Sequence, residues 1–377
     1  MEMILRAHKI RLYPNNKQAT YFAKACGVAR FAYNWALARS KELYEQDNTY
    51  RFNEAALRRE LNAIKAEQFP WMLEVTKCAP QLAIRDDLKS AFKNFFAKRT
   101  DFPKFHKKGV DDSFALSNDQ FKIKNTHVQI PKLGDVRLAE QLRFSGKIVA
   151  AAISRRADKW FIAIQVEIHK PEPTHTGENK AVGVDFGVKS LAVLSDGTII
   201  QSSKASRKYE DQLRRLNQEL SRRKGAKKGE KQSANFRKTK RKIVRLYARM
   251  ADLRTDETHK LTTMLTQNYA VIGIEDLNVK GMMANHKLAR SIADAALSEC
   301  RRQIEYKSEI SGSCVVIADR WFASSKTCSN CGAVKETLSL SERTYHCDTC
   351  GFTCDRDHNA ARNLENYAVN ALEHISR

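Results

Sequence analysis

The amino-acid sequence predicts a multidomain α+β protein, and three features of the chain indicate this fold class. An N-terminal block has apolar residues at helical spacing, and a series of short apolar runs of strand length follows it. The C-terminal half then alternates buried strands with helices. With 377 residues, the chain is long enough for two or three domains and a sizeable core.

The composition indicates a polyanionic partner. Lys and Arg number 66 and Asp and Glu 43, which gives a formal net charge of +23. An excess of this size favours nucleic acid over a membrane as the partner. No apolar run approaches the roughly 20 residues that span a bilayer, and the first residues lack the apolar core of a signal peptide. We therefore expect a cytoplasmic protein without a membrane partner.

The first 170 residues are predicted to contain a strand, a helical bundle and a β-rich region. Residues 3–13 alternate as a strand that stops at Pro14, and helical spacing is seen over 16–46, 54–65 and 81–98. Between residues 99 and 170, six short runs with turn signals between them predict a β-barrel or sandwich. The polar segment 171–180 then marks the clearest domain boundary.

The region after this boundary has the element order of a ribonuclease-H-like nuclease domain. A buried strand from residue 181 is broken by Asp185, and Asp196-Gly197 predicts a hairpin after it. A helical hairpin over 205–266, a buried strand that ends at Glu275, a helix over 291–309 and a last strand follow. For the first strand alone, an ordinary α/β domain in which Asp185 caps a turn is an equal alternative. The order of the elements favours the nuclease domain.

The helical hairpin carries an unusually dense basic segment. From residue 222 to 245 there are 12 Lys or Arg and one acid, Glu230. A solvated charged face is the alternative, but this density favours phosphate binding. The candidate nucleic-acid contacts on the hairpin are Arg222, Arg223, Lys224, Lys227, Lys228, Arg237, Lys238, Arg241 and Lys242.

Four cysteines have the spacing of a structural zinc site. Cys328 and Cys331 form one Cys-x-x-Cys pair, and Cys347 and Cys350 form a second pair after fifteen residues. Such pairs present thiolates at tetrahedral angles, and four thiolates leave no open position for catalysis. The remaining cysteines away from this ribbon are predicted to be buried thiols: Cys26, Cys78, Cys300 and Cys314.

Asp357, at the start of a predicted helix, is a candidate third carboxylate beside Asp185 and Glu275. Three such acids suit a pair of Mg²⁺ ions about 3.5–4 Å apart that flank a scissile phosphate. One ion would activate the attacking water and the other would stabilise the leaving oxygen. The alternative is that Asp357 is a helix N-cap. Asp355 is the rival for the third position, although we expect it to lie in the preceding loop.

With these motifs, the sequence resembles the TnpB family of transposon-encoded nucleases, which are related to the type V CRISPR effectors. The resemblance extends over essentially the whole chain and is carried by four blocks and by Phe102-Pro-Lys-Phe-His-Lys-Lys108. The four blocks are Gly183-Val-Asp185-Phe-Gly187, Ile274-Glu275-Asp-Leu-Asn278, Ser325-Lys-Thr-Cys328-Ser-Asn-Cys331-Gly332 and Asp357-His-Asn359-Ala-Ala-Arg-Asn363.

The resemblance implies a domain plan. Members have a helical recognition lobe inserted in a wedge β-barrel, followed by a RuvC-like, ribonuclease-H-like domain that a zinc ribbon splits. The corresponding segments are a first barrel strand at 1–14, the lobe at 15–98, the barrel at 99–170, a linker at 171–180, the RuvC-like domain at 181–320 with its basic hairpin at 205–266, the ribbon at 321–353 and a last helix at 354–377.

The resemblance also implies an activity and partners. Members are RNA-guided DNA endonucleases of bacterial insertion sequences, so we expect catalytic Mg²⁺, structural Zn²⁺, a guide RNA from the transposon end and double-stranded target DNA. Lys77 and Gln81 match positions that contact a short motif beside the target in relatives, and both residue types suit base edges. Ordinary exposed polar residues at a helix start are the alternative for these two.

Two other functions stay open at the level of sequence. One is a guide-dependent DNA binder that does not cut, against which the three intact acids argue. The other is a guide-independent transposase or an accessory DNA-binding protein of the transposon. A co-purifying RNA of defined sequence would discriminate between them.

Overall fold

The structure is a computed structural model, and it describes residues 2–110, 112–172, 180–225, 232–339 and 342–375. Most of the predicted linker, residues 173–179, and the candidates Lys227 and Lys228 lie outside these residues. The chain divides into two units, Met1–Lys170 and Pro171–Arg377, which are described separately. Among the described residues, no helix is both long and apolar enough to cross a membrane.

The first unit combines a helical block with one antiparallel sheet. Its strands follow the order β2-β6-β7-β1-β5-β4-β3. The helices are α1 (Asn16–Gln46), α2 (Glu54–Gln68), α3 (Cys78–Leu82) and α4 (Lys89–Phe96), with a 3₁₀ turn at Pro70–Glu74 and a π-helical turn at Ala83–Leu88. The strands are β1 (Met3–Tyr13), β2 (Ser113–Ser117), β3 (Lys122–Lys124), β4 (His127–Ile130), β5 (Gly134–Leu138), β6 (Lys147–Arg156) and β7 (Lys159–His169).

The first strand joins the same sheet as the strands of the β-rich region. β1 pairs with β7 from Met3 to Leu12 and with β5 at its last two residues. Ile10 and Leu12 alternate inward into a core shared with the helices, and a capping box of Asn15 and Gln18 begins α1 directly after the strand. Local sequence therefore determines both the end of the strand and the start of the helix within three residues.

The third predicted helix begins earlier than expected. Helical structure starts at Cys78 rather than at Gln81, because Pro80 lies in the first turn, where its missing N–H has no intrahelical partner. Gln81 therefore lies inside the helix and does not open it. The π-helical turn that follows is not visible in the spacing of the apolar residues.

The second unit contains a five-stranded sheet with the order β10-β9-β8-β11-β12. Here β8, β11 and β12 are parallel. Strand β9 runs antiparallel to β8, and β10 pairs antiparallel with β9 through the predicted hairpin. The strands of this sheet are β8 (Ala181–Phe186), β9 (Ala192–Leu194), β10 (Ile199–Ile200), β11 (Val271–Glu275) and β12 (Cys314–Ala318). This is the predicted ribonuclease-H-like order, and the fold class is confirmed.

The helices of the second unit cover the sheet and form the hairpin. Between β10 and β12 they are α5 (Ala205–Lys208), α6 (Glu210–Arg222), α7 (Ala234–Asn268), α8 (Val279–Met283), α9 (Ala289–Ala295) and α10 (Leu297–Ser311). The two helices of the hairpin pack together through apolar side chains, with Leu216 of α6 in one cluster with Ile243 and Leu246 of α7. The single helix predicted near residues 291–309 is instead two helices, because Ala296 takes a left-handed conformation (φ 50°).

The remaining elements form the ribbon and the last helix. Strands β13 (Thr344–His346) and β14 (Thr353–Asp355) pair antiparallel, and α11 (Arg356–Ile375) follows at once. Tyr345, which is fully buried, is the centre of the small core of the ribbon together with Cys328 and Cys347.

Candidate active site and metal centre

Two of the three predicted acids lie at neighbouring positions on adjacent parallel strands. Asp185 is close to the end of β8, and Glu275 is the last residue of β11. The register pairs Ile274 with Val184, so the next residue of each strand is one of the two acids. The carboxyl ends of parallel strands share one edge of a sheet, and this is where α/β proteins place their sites.

Helix α11 brings the third acid to this edge because two glycines let it approach the strands. Gly183 and Gly273 are partners in the β8–β11 register. A Cβ atom on Gly183 would lie 1.8 Å from the carbonyl oxygen of Ala361, and one on Gly273 would lie 2.3 Å from that of Leu364. The helix backbone therefore lies directly on the sheet. Asp357 is one turn before Ala361, towards the end of β8.

The negative charges of Glu275 and Asp357 act on Asp185. Burial, followed by the negative charges of Glu275 and Asp357, raises the pKa of Asp185 to about 8. Among the described residues, only the four ribbon cysteines bring three or more ligand atoms within 4.8 Å of one another. The three carboxylates thus form an electrostatically coupled cluster that is wider than a closed metal site. Their role as metal ligands stays a prediction.

The neighbouring acids Asp276 and Asp355 have structural partners of their own. Asp276 accepts hydrogen bonds from Arg301 and Arg320, and these lower its pKa. Asp355 is the last residue of β14 rather than a loop residue, and its Oδ1 accepts the backbone N–H groups of Asp357 (2.9 Å) and His358 (3.1 Å). Asp355 is therefore the N-terminal cap of α11, and Asp357 is not.

The environment of Asp357 includes two arginines. Its carboxylate lies 3.2 Å from the guanidinium of Arg356 and 4.0 Å from that of Arg343 in the ribbon. Neither arginine stands out by its position in the sequence, because an isolated Arg in a basic chain carries no pattern.

The four ribbon cysteines form a site whose dimensions fit zinc. The sulfurs of Cys328 and Cys350 are 3.7 Å apart, and those of Cys331 and Cys347 are 3.6 Å apart. Four thiolates around a tetrahedral zinc with bonds of about 2.3 Å would be separated by about 3.8 Å. A disulfide would require about 2.05 Å. The predicted four-cysteine cluster is therefore confirmed as an arrangement compatible with zinc.

Each cysteine pair is held by the same backbone turn. The N–H of Gly332 donates to the carbonyl of Cys328, and that of Gly351 donates to the carbonyl of Cys347, both at 2.9 Å. Both glycines have positive φ, 78° and 71°, which a side chain would disfavour. The backbone N–H of Cys350 also lowers the pKa of Cys347 to about 6, so its thiolate form is favoured.

The cysteines away from the ribbon follow the prediction with one exception. Cys26, Cys78 and Cys300 are buried, as expected. Cys314 is exposed, so its assignment as a buried thiol is wrong. It is the first residue of β12, and the strand becomes buried only towards Ala318.

The described candidate residues of the basic hairpin are all exposed to solvent. Arg223 differs from the others in its contacts, because its guanidinium contacts Glu219 (2.5 Å) and donates to Thr239 Oγ1 (2.6 Å), which ties α6 to α7. We infer a structural role for Arg223 beside the predicted contact with nucleic acid. The other exposed candidates among the described residues are Arg222, Lys224, Arg237, Lys238, Arg241 and Lys242.

The two candidates for reading a flanking DNA motif lie in the first unit. Lys77 is exposed and directly precedes α3, whereas Gln81 is partly buried in its first turn. They are four residues apart across a single helical turn, so their side chains lie on neighbouring parts of one surface. Whether they contact DNA stays a prediction.

Comparisons with known proteins agree with this architecture. Family models match residues 163–286 ("Probable transposase"), 298–364 ("Cas12f1-like, TNB domain") and 1–49 ("Helix-turn-helix domain"). Within residues 2–49 the structure has strand β1 and the single helix α1 rather than a helix-turn-helix. A solved Cas12f1–sgRNA–target DNA complex has the same fold, with a TM-score of 0.58, 14% identity and coverage of 97% of this chain and 99% of that one.

The described strands and cysteines thus define a protein with a ribonuclease-H-like sheet and a four-cysteine ribbon. The "Putative RNA-guided DNA endonuclease" of Streptomyces pristinaespiralis is 37% identical over 373 residues, covering 97% of this chain and 89% of the relative. The protein of the same description from Escherichia coli K12, InsQ, is 34% identical, covering 96% and 91%. The chain belongs to the TnpB family, as its motifs predicted.

Proposed function

We propose that the protein is an RNA-guided DNA endonuclease of a bacterial insertion sequence, which hydrolyses phosphodiester bonds at a guide-matched target beside a short flanking motif. The observation that carries this proposal is the coupled cluster of Asp185, Glu275 and Asp357 at the end of the parallel strands. The names of the two relatives support the guide-dependent activity.

The acidic cluster fits divalent cations. Its donors are carboxylate oxygens, which Mg²⁺ prefers. Burial, followed by repulsion from Glu275 and Asp357, raises the pKa of Asp185 to about 8, and a bound cation would favour the charged form of this carboxylate. Asp185, Glu275 and Asp357 would hold the metal as a pair of ions. When bound, Mg²⁺ supplies Lewis-acid stabilisation of charge on the phosphate oxygens during hydrolysis. The chain itself fixes the three carboxylates through the strand register and the glycine contacts of α11.

The remaining candidate residues would bind zinc and the nucleic-acid partners. The ribbon cysteines would hold one structural zinc, and the exposed basic residues of α6 and α7 would bind phosphates of the guide RNA or target DNA. Lys77 and Gln81 would read the flanking motif, and base pairing with the guide would read the rest of the target. The guide would come from the transposon end, and the protein would act in the cytoplasm of a prokaryotic cell.

Expression of the protein together with its transposon-end DNA tests the proposal. RNA that co-purifies with the protein is sequenced, and the complex is offered double-stranded DNA that matches it. We expect one abundant RNA of defined ends and cleavage of the matching DNA. A defined RNA without cleavage would indicate a guide-dependent binder. Cleavage without RNA would indicate a guide-independent transposase.

A further inference from the structure

A buried hydroxyl outside the three acids contacts one of them. Ser324 lies between β12 and the first cysteine pair, is 5% exposed, and donates from its Oγ to Oε1 of Glu275. The other carboxylate oxygen, Oε2, accepts no hydrogen bond from the described residues. Glu275 ends its strand, so the sheet does not restrain the far end of its side chain. The hydroxyl therefore orients the carboxylate and leaves one oxygen available to a cation.

Two buried asparagines on α11 hold the segment that carries Ser324. Nδ2 of Asn363 donates to the carbonyls of Ser324 and Thr327, both at 2.7 Å. Nδ2 of Asn359, one turn earlier, donates to the same carbonyl of Thr327 at 2.7 Å. These side chains are 4% and 0% exposed, so their bonds are shielded from water. The helix that carries Asp357 thus also fixes the hydroxyl that orients Glu275.

The same segment is the entry to the zinc ribbon. The backbone N–H groups of Lys326 and Thr327 both donate to the carbonyl of Ala323 at 3.0 Å, which closes a turn around Ser324. Thr327 forms an isolated bridge with Val334 across the first cysteine pair, and Cys328 follows it directly. A change in the fold of the ribbon would therefore reach Ser324 through one short, hydrogen-bonded turn.

We propose that Ser324 is a positioning residue for Glu275 and that the folded zinc ribbon keeps it in place. The ribbon then has a second task besides its own stability, because its metal supports the geometry of the acidic cluster. This inference rests on the proposed function, since it treats the three acids as cation ligands. Its signal is absent from the sequence, where Ser324 is one of two adjacent serines before a cysteine motif.

Binding of Mn²⁺ to the guide-free, zinc-loaded protein tests the proposal without requiring cleavage. Mn²⁺ prefers oxygen ligands and does not displace zinc from thiolates, and its binding can be followed by electron paramagnetic resonance. In Ser324→Ala we expect the dissociation constant for Mn²⁺ to rise about tenfold, because a hydrogen bond to a charged group is lost. Ser324→Thr, which keeps the hydroxyl, should restore the affinity. Zinc content should be unchanged in both variants.

Ser329→Ala is the matched control. Its hydroxyl is buried in the same segment but has no hydrogen-bond partner among the described residues, so its removal should leave Mn²⁺ affinity and cleavage unchanged. An equal loss of Mn²⁺ affinity in Ser324→Ala and Ser329→Ala would overturn the proposal. Unchanged Mn²⁺ affinity in Ser324→Ala, or a wild-type protein that binds no Mn²⁺, would also overturn it.

A double-mutant cycle tests the part played by the ribbon. Cys328→Ser, which removes a zinc ligand, should weaken Mn²⁺ binding in the wild-type background and add little to Ser324→Ala, because both changes act on one contact. Fully additive losses would contradict the coupling. If the variants behave as expected but a matching guide directs no cleavage, the proposed function fails while this inference stands. If guided cleavage occurs and Ser324→Ala binds Mn²⁺ normally, the inference alone fails.

Discussion

Replacing Gly183 by alanine tests whether close contact between α11 and the sheet places Asp357. The new Cβ would lie 1.8 Å from the carbonyl oxygen of Ala361 and 2.4 Å from the backbone nitrogen of Glu365. Ordinary contact between such atoms needs about 3.5 Å, so the helix would have to move by about 1.7 Å. Both opposing atoms are backbone, and no side-chain rotation can relieve the overlap.

The displacement should affect both stability and cleavage. Overpacking of this kind costs about 1–3 kcal/mol of the free energy of unfolding, which exceeds the about 0.4–1 kcal/mol that alanine gains over glycine in the unfolded chain. A misplacement of about 1 Å at a catalytic group lowers the rate about 100-fold. Thermal unfolding and single-turnover cleavage measure the two effects. Gly225→Ala, where a Cβ meets nothing within 4 Å, is the matched control. Unchanged cleavage by Gly183→Ala would refute the reasoning.

Three further predictions concern pH, zinc and DNA recognition. The pKa of Asp185 is raised to about 8, so its stabilising contribution in metal-free protein is present below its ordinary pKa and lost as the pH rises through about 8. The free energy of unfolding, measured by denaturation at several pH values, should fall with rising pH in wild-type protein through this contribution, which Asp185→Asn should lack. The same pH dependence of the free energy in both proteins would contradict the prediction. Cys328→Ser should release zinc and unfold the ribbon, measured by metal analysis and proteolysis, whereas wild-type protein without zinc would end this claim. Gln81→Ala should weaken cleavage at the preferred motif by about 1–3 kcal/mol and relax one position in a randomised library, whereas neutralising exposed residues of the basic hairpin should weaken binding at all sequences alike and reduce its salt dependence. An unchanged motif preference in Gln81→Ala would contradict the first of these two predictions. A loss of binding confined to certain sequences in the hairpin variants would contradict the second.

The sequence predicted the sheet of the second unit and the convergence of its acids because these features depend on local pattern. An apolar run broken by one acid predicts a buried strand with a polar end, and both β8 and β11 have this form. Parallel strands then bring Asp185 and Glu275 to one edge. The cysteine spacing predicted the ribbon for the same reason, since each pair needs only a local turn.

Features that depend on contacts distant in sequence were not predictable. Ser324 and Glu275 are 49 residues apart, and Asn363 is 39 residues from Ser324. Asn359 and Asn363 belong to a recognised motif, but spacing alone does not reveal that their amides hold the entry to the ribbon. The cap provided by Asp355 was missed because strand β14 runs into α11 without the loop that we expected.

Local errors arose where one residue type permits two structures. Helical spacing predicts that the third helix begins at Gln81, directly after Pro80, but proline is equally compatible with the first turn of a helix. The break at Ala296 has no glycine or proline to signal it. Arg223 is of a residue type that commonly binds phosphate, and only the structure shows that Glu219 and Thr239 contact its guanidinium.

The most direct test is to replace the target-matching segment of the guide RNA and to map where the loaded protein then cuts DNA. Wild-type protein should cut at the new matching site in the presence of Mg²⁺. Asp185→Ala and Asp357→Ala should bind the same DNA nearly as well but not cut it, because the metal ligands act on the transition state. Asp355→Ala should still cut and lose about 1 kcal/mol of stability as a missing helix cap. Normal cutting by Asp357→Ala together with loss of cutting in Asp355→Ala would contradict the assigned site, and a cut position that does not follow the guide would contradict the function.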